Sequence, residues 1–193
     1  MESVCVFCGS NTGRSAPYAE TARALAHALA RTGLRLVYGG GSIGLMGVLA
    51  EAALAAGVHV TGVAPRRLIE REVVHSGLSK LHVVESMHER KATMAELSDG
   101  FIALPGGYGT LDELFEALTW TQLGYHRKPC GLLNVEGFFD RLADYLDHAL
   151  AEGFLTREHR GMLVVADDPD VIIERLKSVA LPQVSKWIGR GET

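Results

Sequence analysis

Short runs of apolar residues alternate with longer stretches of helical periodicity along most of the chain. Residues 3–10, SVCVFCGS, read as a strand, and 16–33 as a helix whose end at Gly33 suits a glycine C-cap. The alternation continues with strands at 34–40 (LRLVYGG), 58–65 (VHVTGVAP), 81–86 (LHVVES), 100–107 (GFIALPGG), 128–135 (KPCGLLNV) and 162–168 (MLVVADD). Helical patterns occupy 44–57, 86–98, 110–124 and 137–153, with a last one in DPDVIIERLKSVA. The strand runs are nearly continuous apolar stretches, which implies burial on both faces and a parallel sheet between helix layers. The pattern predicts a doubly wound, Rossmann-like α/β fold, one domain over 1–180 followed by a tail at 181–193. In such a sheet, ligands bind beyond the carboxyl ends of the strands. The residues that follow strands are CGSNTG, YGGGSIGLMG, ESMHERK and PGGYGT.

Composition narrows the choice. The 193 residues are 47% hydrophobic, enough for one well-buried core. A formal net charge of −4 gives no basic surface for nucleic acid, and no apolar run approaches the roughly 18 residues that span a bilayer. The N-terminus lacks the pattern of a signal peptide. These features predict a cytoplasmic protein, and three cysteines fit a reducing compartment. Cys5 and Cys8 form a C-x-x-C inside a strand, where residues three apart point to opposite faces. No second pair completes a zinc site, so they read as small buried hydrophobes and no metal is expected.

Two corners are rich in glycine. Residues 39–44, GGGSIG, match the dinucleotide pattern G-x-G-x-x-G, but they follow the second strand, and no acid ends the next one to hold a ribose. A nicotinamide cofactor is disfavoured; a tight turn or a close approach to a ligand remains. At Gly106, Gly107, Tyr108, Gly109 and Thr110, backbone amides at a helix start form an anion site, and Thr110 adds a hydroxyl. The P-loop lysine is absent, which favours a monophosphate over a triphosphate.

Three carboxylates follow within six residues. Thr110 and Glu113 have the spacing of a capping box, so Glu113 either caps the helix or acts on a ligand. Glu116 lies one turn further on the same face, and Asp112 points elsewhere, towards solvent. Ser86 and Glu89 form another capping box. Arg90 then shares a face with Met87 and Met94, where it needs a partner, a ligand or a route to the surface. An anion pocket beside a cation and a carboxylate suits a sugar phosphate or nucleoside monophosphate, whose glycosidic bond breaks through a cation-like transition state.

The segments GGGSIGLMG (39–47), SMHERK with ALPGGYGTLDELFE (86–116) and LTWTQLG (118–124) closely resemble the Lonely Guy (LOG) family, cytokinin riboside 5′-monophosphate phosphoribohydrolases often mislabelled lysine decarboxylases. The likeness covers roughly residues 3–180. It implies hydrolysis of the N-glycosidic bond of an N6-modified AMP, releasing free base and ribose 5-phosphate, without a cofactor. By position it implies Arg90 and Glu113 as catalytic residues, with the phosphate and ribose on Gly106, Gly107, Gly109 and Thr110 and with Gly41 and Gly44 opposite. Further substrate contacts would fall on Glu72, Lys91, Glu116 and Thr119. The family also implies a homodimer, with the helix bearing Trp120 and Leu123 as one contact. A pyridoxal enzyme is disfavoured, because only Lys91 lies near the site and no cofactor motif surrounds it. A module of the same fold that binds a nucleotide without cleaving it is the alternative reading.

Overall fold

The computed structural model describes residues 1–70 and 74–181. Glu72 and nearly all of the tail therefore lie outside the described residues. Seven strands form one sheet: β1 (Ser3–Phe7), β2 (Arg35–Tyr38), β3 (Val60–Pro65), β4 (Lys80–Val84), β5 (Phe101–Ala103), β6 (Cys130–Leu133) and β7 (Leu163–Ala166). Their order is β4-β3-β2-β1-β5-β6-β7 and every pairing is parallel. Each of the seven apolar runs is a strand. The chain winds outward from β1 through β2 to β4, then crosses to β5 on the other side of β1. The sheet is doubly wound, and its switch point lies between β1 and β5.

The principal helices are α1 (Ala16–Thr32), α2 (Gly44–Ala55), α4 (Met87–Glu96), α5 (Tyr108–Gln122), α6 (Asp140–Ala151) and α8 (Pro169–Ser178). Two single-turn helices, α3 (Arg66–Ile69) and α7 (Arg157–Arg160), were not legible as periodic segments, being too short to show a repeat. Gly33 ends α1 in the left-handed conformation expected of it, with φ of 67°. One core layer packs α1, α2 and α8 on the sheet through Leu25, Leu29, Leu49 and Ile172. The other packs α4, α5 and α6 through Met94, Leu114 and Leu146. Cys5 faces the second layer and Cys8 the first, as strand alternation requires, and both are free buried thiols. Among the described residues no helix is long and apolar enough to cross a membrane.

One packing detail makes stability sensitive to acid. His126 follows α5 and lies against Phe101 and Trp120, with ring centroids at 5.4 and 6.2 Å. Its Nδ1 accepts from the Lys128 amide at 3.3 Å, which leaves the proton on Nε2. Burial, helped by Lys128, pushes the imidazole from 6.5 down to about 4. The folded state thus holds the ring neutral where the unfolded chain would protonate it. The stabilisation is complete above pH 6.5 and is lost as the pH falls from there towards 4. Denaturant unfolding of the protein and of His126→Phe across pH 4–7 should show the variant losing less stability over that window.

Candidate active site

The site lies beyond the carboxyl ends of the strands, at the switch point. The loops after β1 and β5 are tied together where the Gly9 amide donates to the Pro105 carbonyl at 3.0 Å. The Leu45 amide, in the first turn of α2, donates to the Gly9 carbonyl at 3.0 Å and brings in the loop after β2. These segments enclose a cavity of about 420 Å³. Its lining includes residues 8–13, Tyr18, Leu45, Met46, Arg90, residues 105–110, Glu113 and Phe138.

The glycine corner after β5 is an open ledge. Helix α5 starts at Tyr108 with Gly107 as its N-cap, three residues before the N-cap Thr110 that the capping-box pattern predicts. Thr110 therefore sits inside the helix, 3% exposed, and cannot cap it. The first-turn amides have no carbonyl partner within the helix and point outward. A Cβ on Gly106 would meet the Thr110 hydroxyl at 2.1 Å and the Gly9 amide nitrogen at 2.9 Å, so only glycine fits there. A Cβ on Gly107 or Gly109 would meet nothing within 4 Å. The result is a set of free N–H donors beside unfilled space, at the positive end of a 15-residue helix.

Glu113, released from capping, points at Arg90. Arg90 Nη1 donates to Glu113 Oε1 at 2.8 Å. The other guanidinium contacts go to the sheet edge: Nε donates to the Val63 carbonyl at 3.0 Å and Nη2 to the Gly39 carbonyl at 3.2 Å. The side chains of Arg90 and Glu113 are 9% and 11% exposed. Of the fates open to Arg90, the structure gives it a partner rather than a route to the surface. Burial raises the Glu113 carboxyl above its ordinary value, and Arg90 pulls against that rise without cancelling it. In the upstream capping box, Ser86 Oγ accepts from the Glu89 amide at 3.1 Å, as expected, while the Glu89 carboxylate reaches the Glu85 amide at 2.8 Å.

Other expected contacts stand around the cavity rather than on its surface. Lys91 Nζ lies 3.1 Å from both Asp112 Oδ2 and Glu116 Oε1, bracing α4 against α5. Asp112, expected to be merely solvated, thus holds a lysine. Burial alone would favour the neutral amine, but hydrogen bonds to Glu116 and Asp112 outweigh it and keep Lys91 protonated above its ordinary range. The Thr119 hydroxyl donates to the Phe115 carbonyl at 2.6 Å, and the residue lies on the outer face of α5. Gly41 and Gly44 also stand behind the lining. Gly44 has φ of 63°, and a Cβ there would lie 2.2 Å from the Ser10 carbonyl carbon, so it seats α2 against the loop after β1. Trp120 packs inward on the second core layer, while Leu123 is 40% exposed. Tyr18 and Phe138 were missed as site residues. Phe138 lies in the turn after β6, which is the signal that locates it; Tyr18, in the first turn of α1, carries none.

Comparison with known proteins adds an independent line. A family profile described as "Possible lysine decarboxylase" matches residues 46–176. The chain is 50% identical to the cytokinin riboside 5′-monophosphate phosphoribohydrolase of Rhodococcoides fascians, over 92% of this chain and 90% of that one. It is 48% identical to the enzyme of the same name, LOG, from Oryza sativa subsp. japonica, over 90% of this chain and 72% of that one. Among solved structures, the molybdenum cofactor binding protein of Rippkaea orientalis superposes with a TM-score of 0.69 at 23% identity, covering 92% of this chain and 97% of that one. The molybdenum cofactor carrier protein of Chlamydomonas reinhardtii does so at 0.70 and 21% identity, covering 92% and 98%. At these identities the two structures speak for the fold alone.

The seat of Arg90 is open to a direct steric test. A Cβ on Gly39 would lie 1.8 Å from Arg90 Nη2, and the Gly39 backbone is one that alanine adopts. Gly39→Ala should expel the guanidinium and leave Glu113 buried without its partner. A stability loss of about 3–5 kcal/mol in denaturant unfolding is expected; a change below about 1 kcal/mol would mean that the pair adds little.

Proposed function

The chain belongs to the Lonely Guy family of cytokinin riboside 5′-monophosphate phosphoribohydrolases, and from that premise we propose that its cavity cleaves N6-modified AMP with Glu113 and Arg90 as the catalytic pair. The enzyme hydrolyses the N-glycosidic bond of such a nucleotide to free base and ribose 5-phosphate. The observation that carries the assignment of residues is the 2.8 Å contact of Arg90 with Glu113 in the same cavity as the glycine ledge.

In this reading the phosphate accepts hydrogen bonds from the first-turn amides of α5 and from Thr110. The ribose lies over Glu113, one turn further along the same helix. As the bond to the base lengthens, positive charge grows on the anomeric carbon and ring oxygen, and the Glu113 carboxylate stabilises it or directs water to that carbon. Arg90 holds the carboxylate in place and ionised. Lys91, Asp112 and Glu116 keep α4 and α5 in register, so they act on the substrate through the pair they position. Gly41 and Gly44 act in the same indirect way, and Thr119 faces a neighbouring surface. A Schiff-base lysine needs a neutral amine, and Lys91, held charged between two carboxylates, is the opposite of one. We further propose that the protein works in the cytoplasm as a homodimer. Three buried free thiols suit a reducing compartment, and the exposed Leu123 and Tyr125 at the end of α5 suit a subunit contact.

Purified protein incubated with isopentenyladenosine 5′-monophosphate, AMP and isopentenyladenosine should release base from the monophosphates and not from the nucleoside. Tight binding of the monophosphates with no release would replace the enzyme with a binder. Glu113→Gln should lower kcat by about 10²–10³-fold with a smaller change in KM; near-wild-type turnover would remove Glu113 from the chemistry. Because the carboxylate must be ionised, activity should fall on the acid side with a midpoint above the ordinary glutamate value of 4.5. Arg90→Gln should move that midpoint higher still, since a cation that favours the ionised form is gone.

A further inference from the structure

Tyr18 and Phe138 take no part in the cleavage just described, yet the chain is built to hold both at the cavity. The ring of Tyr18 covers Gly13, where a Cβ would lie 2.6 Å from Cδ2. It meets Phe138 edge-on, with centroids 5.8 Å apart and planes at 79°. Phe138 follows two residues in left-handed conformation, Glu136 at φ 52° and Gly137 at 67°. Glu136 is the one described residue other than glycine with positive φ, an uncommon conformation for a side chain with a Cβ. Asn134 fixes this turn: its Oδ1 accepts from the Phe139 amide at 2.7 Å and its Nδ2 donates to Asp140 Oδ1 at 2.7 Å. The consequence is a division between neighbours. Phe139 is buried at 2% exposure, while Phe138 stays 41% exposed over the cavity.

The sheet order then gives the cavity a direction. The Arg90 guanidinium is bonded to the Gly39 carbonyl just after β2 and to the Val63 carbonyl within β3. The glycine ledge follows β5, and Phe138 follows β6. Tyr18 covers Gly13 in the loop after β1, and β1, β5 and β6 are neighbours, with β2 and β3 on the other side of β1. The Arg90 end of the cavity therefore lies towards β2 and β3, and the ledge and the aromatic pair lie together towards β5 and β6. With the glycosidic bond at Glu113 and the phosphate on the ledge, the nucleoside lies on the β2 side. The outer face of the phosphate looks towards the two rings.

We propose that Tyr18 and Phe138 are the specificity-determining wall that limits the substrate's 5′ chain to a single phosphate. This rests on the reading of the ledge as the phosphate site. A second phosphate would project onto the two rings and lose water without gaining a countercharge. Arg90 is the only cation among the described lining residues, and it stands at the far end with its guanidinium bonded to Glu113 and two carbonyls.

The test compares isopentenyladenosine 5′-monophosphate with its 5′-diphosphate on the wild type, Phe138→Ala, Tyr18→Ala and Phe138→Lys. The wild type should favour the monophosphate in kcat/KM by at least about 100-fold, a difference of roughly 2.7 kcal/mol. Each alanine variant should narrow that ratio at least tenfold, and Phe138→Lys, which supplies the missing countercharge, should narrow it further. An unchanged ratio overturns the proposal. So does a raised KM for the monophosphate with the ratio kept, because the rings would then hold the base. Calorimetric affinities of the Glu113→Gln variant for AMP and ADP report the same discrimination without turnover. A protein that binds with this discrimination but releases no base would contradict the hydrolase reading and leave the wall standing.

Discussion

A buried guanidinium needs every one of its faces answered, and the architecture at the strand ends follows from answering Arg90. Its charge is nearly excluded from water, so an unpaired Arg90 would cost far more than the surrounding packing returns. Two of its contacts are carbonyls, one just after β2 and one within β3, and the third is a carboxylate on α5. The planar fork of arginine can serve three elements at once, which an ammonium on a flexible stem could not do with the same fixity. From this follow the bare Cα at Gly39, the close approach of α4 to the sheet edge, and the need for α5 to bring a carboxylate to one definite place. The brace of Lys91 on Asp112 and Glu116 sets the same two helices one step further out.

The chain thereby reconciles an anion-binding corner with a nearby carboxylate. The two are separated along one helix. The free amides occupy the first turn of α5, and Glu113 stands three residues beyond Thr110, about 4.5 Å further along the axis. The positive end of the helix faces the open space beside the ledge, while Arg90 absorbs much of the charge of the carboxylate. Like charges can then share a cavity without sharing a partner.

The alternation of apolar runs made the sheet legible because both faces are buried, and a strand buried on both faces has a signature in residue type alone. The glycine corners and the position of the site followed from the switch-point rule. What could not be read was the fate of Glu113. Thr110 and Glu113 have the spacing of a cap, and local spacing carries no record of an arginine 23 residues upstream that competes for the same carboxylate. The N-cap of α5 moved three residues for the same reason: Thr110 packs against Gly106, a close fit that no local pattern encodes. Lys91 and Glu116 read as substrate contacts and Asp112 as solvated; that the three bind one another depends on the facing of two helices. Phe138 was hidden by a turn whose strained residue is a glutamate rather than a glycine.

The ledge after β5 has one more consequence, for how such a protein changes over time. Its donors are main-chain amides, which every residue but proline carries, and its shape comes from side chains that are missing. Apart from the Thr110 hydroxyl, nothing there can be deleted by truncating a side chain, since Gly107 and Gly109 have none to lose. Recognition written in the backbone can be damaged only by addition. Variation at this corner should thus be one-sided, closed to bulk at Gly106 and tolerant at the solvent-facing ring of Tyr108, which is 95% exposed. The anion site would be inherited almost intact while the cavity walls around it drift towards new bases.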